Sequence, residues 1–274
     1  MKNILQLIGV LSLIVLLTSC QKEFTKTDTN FTYDVDAQKF IDSSGISDNT
    51  NKLAVNDLIK QLKDSSLWTK FIAIYPMLGG TASTTKWNLK DPRDLDAAYR
   101  LTFNGNPTYT NTGVLFPTTS DFADTHLKDS ELTYNDNAIS YYSRTQNTVS
   151  GYDMGCLDNA APFNEMTIYH ATNASDYFGY YRHGYTPAST IGLFMLSATS
   201  TDVIWYENGI NTFSKNAAPT EGFTNHPILI GYVASAASVG MRECALATIG
   251  KGLTGAEALT FSNIIRNFIT KTNK

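Results

Sequence analysis

The chain has 274 residues, 42% of them hydrophobic and 17% charged, with a formal net charge of −4, an ordinary balance for a globular protein and enough length for one sizeable domain or two small ones. No basic stretch stands out, which argues against nucleic acid or an anionic lipid surface as a partner. Fifteen tyrosines and 14 phenylalanines against 6 methionines point to a sheet-rich interior and to rings able to build a binding surface.

The first element is an apolar run from Ile4 to Leu17 behind a single lysine, Lys2. Spanning a hydrocarbon core takes about 20 apolar residues, so this run suits the centre of a secretory signal peptide over residues 1–19. Leu17-Thr18-Ser19-Cys20 resembles the lipobox of bacterial lipoproteins. That resemblance implies that Cys20 is acylated, becomes the mature amino terminus and anchors the protein in a membrane, several acyl chains giving the lasting attachment that one cannot. Gln21, where inner-membrane lipoproteins often carry Asp, implies the outer membrane, and Lys22-Glu23 faintly resembles the charged tether of surface-exposed lipoproteins. Residues 20–35 are rich in Thr, Lys, Asp and Asn and read as a tether.

A helical extension is expected over residues 36–78. Asp36 to Ser44 forms a first helix that stops at Gly45. Ser47 or Asp48 caps a second, whose Val55, Leu58, Ile59 and Leu62 recur at helical spacing. Leu67, Trp68, Phe71, Ile72 and Tyr75 suggest a third, ended by Pro76.

From Gly79 to Gly250 the period becomes two. Ala138–Arg144, Glu165–Ala171, Asp176–Tyr181 and Leu193–Ala198 are short, aromatic and β-branched, with Gly, Pro, Asn and Asp between them, as in an antiparallel β-sandwich. Asn208-Gly209 supplies the two positive-φ positions of a tight hairpin turn between Val203 and Phe213. Thr254 and Glu257 form a capping box for a last helix with Ala258, Phe261, Ile264, Ile265 and Phe268 on one face. The expected domain therefore runs over residues 79–274, a sandwich closed by this carboxy-terminal helix.

Several stretches together are distinctive: Phe40–Thr50 (FIDSSGISDNT), Ser66–Asp94, Tyr99–Phe103, Ser120–Thr125 (SDFADT), Ile139–Thr145 (ISYYSRT) and Ile249–Leu259 (IGKGLTGAEAL). Over Asp36 to Asn273 the chain resembles a group of phage, prophage and Bacteroidota proteins with a LamG-type, concanavalin A-like lectin/glucanase jelly roll. The resemblance implies a mainly β fold with helices at both ends. It carries no catalytic motif, and such sandwiches host lectins, hydrolases, adhesion modules and spacers alike.

Retaining glycoside hydrolases need two carboxyl groups about 5–5.5 Å apart, and laminarinase-type enzymes of this fold take them from alternating acids on one strand. None of Glu23, Glu131, Glu165, Glu207, Glu221, Glu243 and Glu257 begins such a run. His126, His170, His183 and His226 show neither metal-ligand spacing nor a nucleophile elbow.

Asp91, Asp94 and Asp96 cluster, as do Asp121 and Asp124. Hard oxygen ligands of this kind suit calcium at a sandwich rim, although they equally serve as turn acids capping local amides; no cofactor is otherwise required. Tyr180, Tyr181, Arg182, His183 and Tyr185 could form a loop on which a sugar ring stacks, or a strand entering a turn with alternate rings buried. After processing, Cys156 and Cys244 remain; an oxidising compartment lets them pair, and the apolar stretch around each equally suits a buried thiol.

Three functions fit: noncatalytic recognition of a glycan or other surface ligand, a phage-tail-like structural or adhesion role with a protein partner, and a carbohydrate-active enzyme.

Overall fold

Asp34 opens the first helix, α1 (Val35–Ser44), by accepting from the Asp36 amide, and Gly45 closes it in the left-handed conformation at φ 68°. Asp48 then caps α2 (Asn49–Asp64), whose buried stripe includes Val55, Leu58, Ile59 and Leu62. Both helices follow their sequence patterns. The computed structural model describes residues 32–158, 165–170, 176–178, 181–183, 187–216, 222–234 and 238–273. Cys20, the signal peptide and most of the tether lie outside them.

The third expected helix is replaced by a single 3₁₀ turn, Trp68–Lys70, and a strand, β1 (Phe71–Pro76). Its apolar spacing fits a helix, yet Ala73, Ile74 and Tyr75 are buried on both faces. A strand covered on both sides has no alternation to betray it. β1 pairs antiparallel with β15 (Glu243–Gly250).

After a short helix, α3 (Ala82–Thr85), come β2 (Thr102–Asn104), β3 (Thr108–Thr110), β4 (Gly113–Leu115), β5 (Phe122–Lys128), β6 (Asn137–Ser143), β7 (Gly151–Leu157) and β8 (Glu165–His170). They are followed by β9 (Asp176–Phe178), β10 (Tyr181–His183), β11 (Gly192–Ala198), β12 (Val203–Glu207), β13 (Ile210–Lys215) and β14 (Pro227–Ile230). The chain closes with helix α4 (Gly255–Thr272), capped by the Thr254/Glu257 box. Asn208 and Gly209 take φ of 52° and 82° in the β12–β13 turn, as a tight hairpin requires.

Among the described residues the strands form two antiparallel sheets and a small β9–β10 pair. The larger sheet runs β13-β12-β11-β6-β15-β4-β3, with β1 also on β15, and the smaller β2-β5-β14-β7-β8. Ile139, Phe194, Trp205 and Ile249 of the larger sheet meet Met154, Ile168, Ile228 and Ile230 of the smaller in one core. The fold is thus the antiparallel sandwich expected, with helices at both ends. The expected segment Asp176–Tyr181 divides into β9 and the start of β10.

Among the described residues α4 packs on the larger sheet. Phe261 of α4 meets Phe71 of β1 at 4.8 Å between ring centroids, and the Ser197 hydroxyl of β11 accepts from the Leu253 amide at 2.8 Å. α4 also packs on α2, where Lys271 pairs with Asp57. Every residue of β11 is consequently buried, one face in the core and the other towards the helices.

Cys156 and Cys244 are free buried thiols, so the structure corrects a disulfide between them. They belong to different sheets. Cys156 lies by Asp129 and Thr224, Cys244 by Tyr141. Burial pushes both thiols well above their ordinary value, which keeps them protonated and unreactive.

Candidate functional site on the five-stranded sheet

The edge strand β2 and its neighbour β5 alternate. Ala123, Thr125 and Leu127 are buried, whereas Phe122, Asp124 and His126 between them are only partly covered, as are Thr102, Phe103 and Asn104. Thr102 stands opposite Asp124, and Asn104 opposite Phe122, so these four side chains share the outward face.

Two bulky residues here hold left-handed backbone, Tyr99 and His126, both at φ 58°. Such conformations cost an L-residue about 1–2 kcal/mol and persist only where surroundings fix them. Tyr99 ends the turn Asp96–Ala98; its carbonyl accepts from the Tyr75 hydroxyl at 2.7 Å, and its own hydroxyl donates to Glu131 at 3.0 Å. His126 sits where β5 and β14 slip register, Lys128 facing Pro227 and Asp124 facing Leu229. Its amide donates to Asp124 Oδ1 at 2.7 Å.

The bulge aims the imidazole at a polar chain. His126 Nε2 lies 2.7 Å from Thr102 Oγ1 and 3.5 Å from Asp96 Oδ1. Arg100 bridges Asp96 at 2.8 Å and Asp94 at 3.2 Å, and Lys86 holds Asp94 from the other side at 2.6 Å. That Lys86 hydrogen bond keeps the Asp94 carboxyl below its ordinary value. Beside this chain is a shallow hollow of about 270 Å³ lined by Ser83, Lys86, Arg100, Thr102 and Phe103. Phe103 meets Tyr109 edge to face at 5.2 Å, and burial pushes the Tyr109 hydroxyl up to about 12.

Three of the five aspartates read as candidate calcium ligands, Asp94, Asp96 and Asp124, come together here. Asp91 instead grips Arg93 through both oxygens, at 2.7 and 2.5 Å. Asp121 is buried and accepts from the amides of Asn106 and Thr118 and the Thr118 hydroxyl. Each carboxylate thus faces a cation or an amide. Among the described residues no group of three or more His, Cys, Asp or Glu could hold a metal ion.

In a catalytic relay the acid and the nucleophile take opposite nitrogens of the imidazole, but Asp96 and Thr102 both approach Nε2 of His126. A second pair is better aligned yet sealed. Asp153, the residue where β7 slips register against β8, lies 2.6 Å from His170 Nδ1 and 3.3 Å from Arg242. All three side chains are 1% exposed. Among the described residues His170 Nε2 has no hydrogen-bond partner, and Phe194 lies edge to face against the ring at 4.3 Å. Without substrate access these three groups organise the core beneath Tyr152 and Tyr169, whose outward rings are 4.7 Å apart.

Of the aromatic stretch read as a sugar platform, Tyr181, Arg182 and His183 form β10 against β9; Tyr180 and Tyr185, and the side chains of the other three, lie outside the described residues. Tyr99, Arg100, Thr102 and His126 were missed as a site. Only the Asp96–Arg100 spacing could have indicated it.

No family model matches the chain, and no curated protein matches it by sequence. Solved structures do resemble it. A mutant of Trypanosoma rangeli sialidase displaying trans-sialidase activity gives a TM-score of 0.53 at 8% identity, over 78% of this chain and 39% of its own. The same organism's sialidase in complex with 2,3-difluorosialic acid gives 0.52 at 9% identity, over 77% and 38%. Domain 4 of AbnA, a GH43 extracellular arabinanase from Geobacillus stearothermophilus, in complex with arabinotriose, gives 0.45 at 13%, over 70% and 98%. The chain spans about two-fifths of the sialidase's length, and the likeness to it is one of fold.

Proposed function

We propose that the protein is a lipoprotein of the bacterial outer membrane, held through Cys20, whose sandwich recognises a surface glycan without cleaving it. The carrying observation is the row of partly exposed side chains along one edge of the five-stranded sheet, Thr102, Asn104, Phe122, Asp124 and His126. Ring faces and fixed polar groups in this mixture suit sugars, whose C–H faces stack while their hydroxyls need oriented partners. Preset ion pairs favour binding over chemistry: among the described residues of this face each carboxylate already meets a cation or an amide, and the imidazole that meets the Thr102 hydroxyl receives Asp96 on that same nitrogen instead of the opposite one. A sialidase of the same fold is compatible with this function and does not supply it.

The anchor gives the site a place. Asp34 is fixed by Lys63 at 2.7 and 2.9 Å and by Asn56 at 2.8 Å. The 13 residues from Gln21 to Tyr33 reach at most about 45 Å fully extended, so the sandwich works close to its membrane.

Two experiments test this. Mass spectrometry of the membrane-extracted protein should find acyl chains on Cys20, and Cys20→Ala should release the protein from the membrane fraction; an unacylated, membrane-free wild type refutes the anchor. Protein beginning at Gln21, applied to a glycan array with and without calcium, should bind selectively and lose binding on His126→Ala or Thr102→Val. Silence from folded protein refutes glycan recognition and leaves an adhesion role with a protein partner; release of sugar products would refute the noncatalytic assignment.

A further inference from the structure

A separate cleft of about 280 Å³ opens beside the helices, bounded by the α1–α2 connection, the turn between β3 and β4, and the end of α4. Its polar lining comes from Ser47, Thr50, Asn51, Asn111, Thr112 and Thr272. No lysine, arginine or aromatic side chain is among the lining residues. Asp48, the one charged group, already caps α2 by accepting from the Asn51 amide at 2.8 Å, and its carboxylate would repel an anion.

Asn51 is 5% exposed, yet its side-chain amide has no hydrogen-bond partner among the described residues, and neither do the Ser47 and Thr50 hydroxyls. Asn51 lines the cleft, so an amide that no protein group engages there is open to water or to a ligand that enters. A carboxamide offers an acceptor and a donor side by side, which matches two neighbouring hydroxyls of a ring. At about 30 Å³ per water the space holds about nine waters, comparable to one hexose with its hydroxyls.

We propose that this cleft binds one neutral monosaccharide unit, free or at the end of a chain, with Asn51 clamping adjacent hydroxyls and Asn111 closing over it. The site lies apart from the β2–β5 face and stands independently of that face's ligand.

Saturation-transfer NMR of the protein from Gln21 onward, with glucose, galactose, mannose, fucose and N-acetylglucosamine, tests it, together with thermal melts in each sugar. At least one sugar should bind and raise the melting temperature. Asn51→Ala should weaken that binding at least tenfold; Asn111→Ala, on an exposed turn, should weaken it severalfold without touching the helix. His126→Ala should leave it unchanged, which separates this cleft from the array result. No saturation transfer from any of the five sugars to folded wild type, or binding that survives both asparagine substitutions, overturns the proposal. Asn51→Ala that raises stability while no sugar binds would show the amide to be merely hydrated.

Discussion

Replacing Asp153 with Asn keeps its shape and removes its charge from between His170 and Arg242. Both Asp153 and Arg242 are 1% exposed, with 3.3 Å between the guanidinium and the carboxylate. At an effective dielectric of about 20 that attraction is about 5 kcal/mol, and breaking a buried pair by removing one partner costs about 3–5 kcal/mol. Among the described residues Arg242 then keeps only the Val149 carbonyl at 2.6 Å, which cannot neutralise it. Asp153→Asn is therefore expected to lose about 3–5 kcal/mol. Asp153→Asn combined with Arg242→Met, which removes the stranded cation, should recover about 2 kcal/mol relative to the sum of the single changes. Urea unfolding followed by the fluorescence of the protein's tryptophans, which include the buried Trp205, measures both, provided the slope with denaturant is unchanged. A single-mutant loss below about 1 kcal/mol, or strict additivity, would refute the assignment of these groups as a coupled ion pair.

The strained bulge is tested by comparing His126→Gly with His126→Ala: both lose the Thr102 bond, but glycine escapes the left-handed penalty, so it should unfold about 1 kcal/mol later in urea. Gly209→Ala puts a methyl carbon 2.8 Å from Leu259 Cα at φ 82°, so a loss of about 2–4 kcal/mol is expected by thermal melting, with native stability counting against the close hairpin–helix approach. Burial raises the Asp34 carboxyl, but hydrogen bonds from Lys63 and the Asp36 amide outweigh it and hold the group below 3.8. A depressed carboxyl contributes stability above its unfolded value and loses it as pH falls through the folded one. Asp34→Asn should thus be less stable than wild type at pH 7, with urea midpoints converging in strong acid; a constant gap would contradict it.

Local chemistry was legible wherever a short motif closes on itself. Val55, Leu58, Ile59 and Leu62 mark α2, Thr254 and Glu257 cap α4, and Asn208-Gly209 turns its hairpin because each acts on neighbours a few residues away. Strand β1 was not legible, since the helix that meets it, α4, and its β15 partner come from distant sequence. The β2–β5 site was half visible. Its aspartates stood out as acids, but the cations that neutralise them gave no signal, and the bulge that turns His126 towards Thr102 exists only because β5 pairs with β14 about a hundred residues on. Cys156 and Cys244 looked alike in sequence, and only the structure shows each to be a free buried thiol.

The position of α1 carries a mechanical consequence. Load applied from an anchored amino end reaches Asp34 first, then this helix, which is held by buried Ala37, Phe40, Ile41 and Ser44. Only beyond it does the load meet the sandwich. Its 10 residues span about 15 Å coiled and about 34 Å drawn out, so peeling it yields about 19 Å of slack. Were the amino end anchored as proposed, a pull on the protein would spend that compliance before any strand of the sandwich felt strain, and the helix would rewind when the pull relaxed.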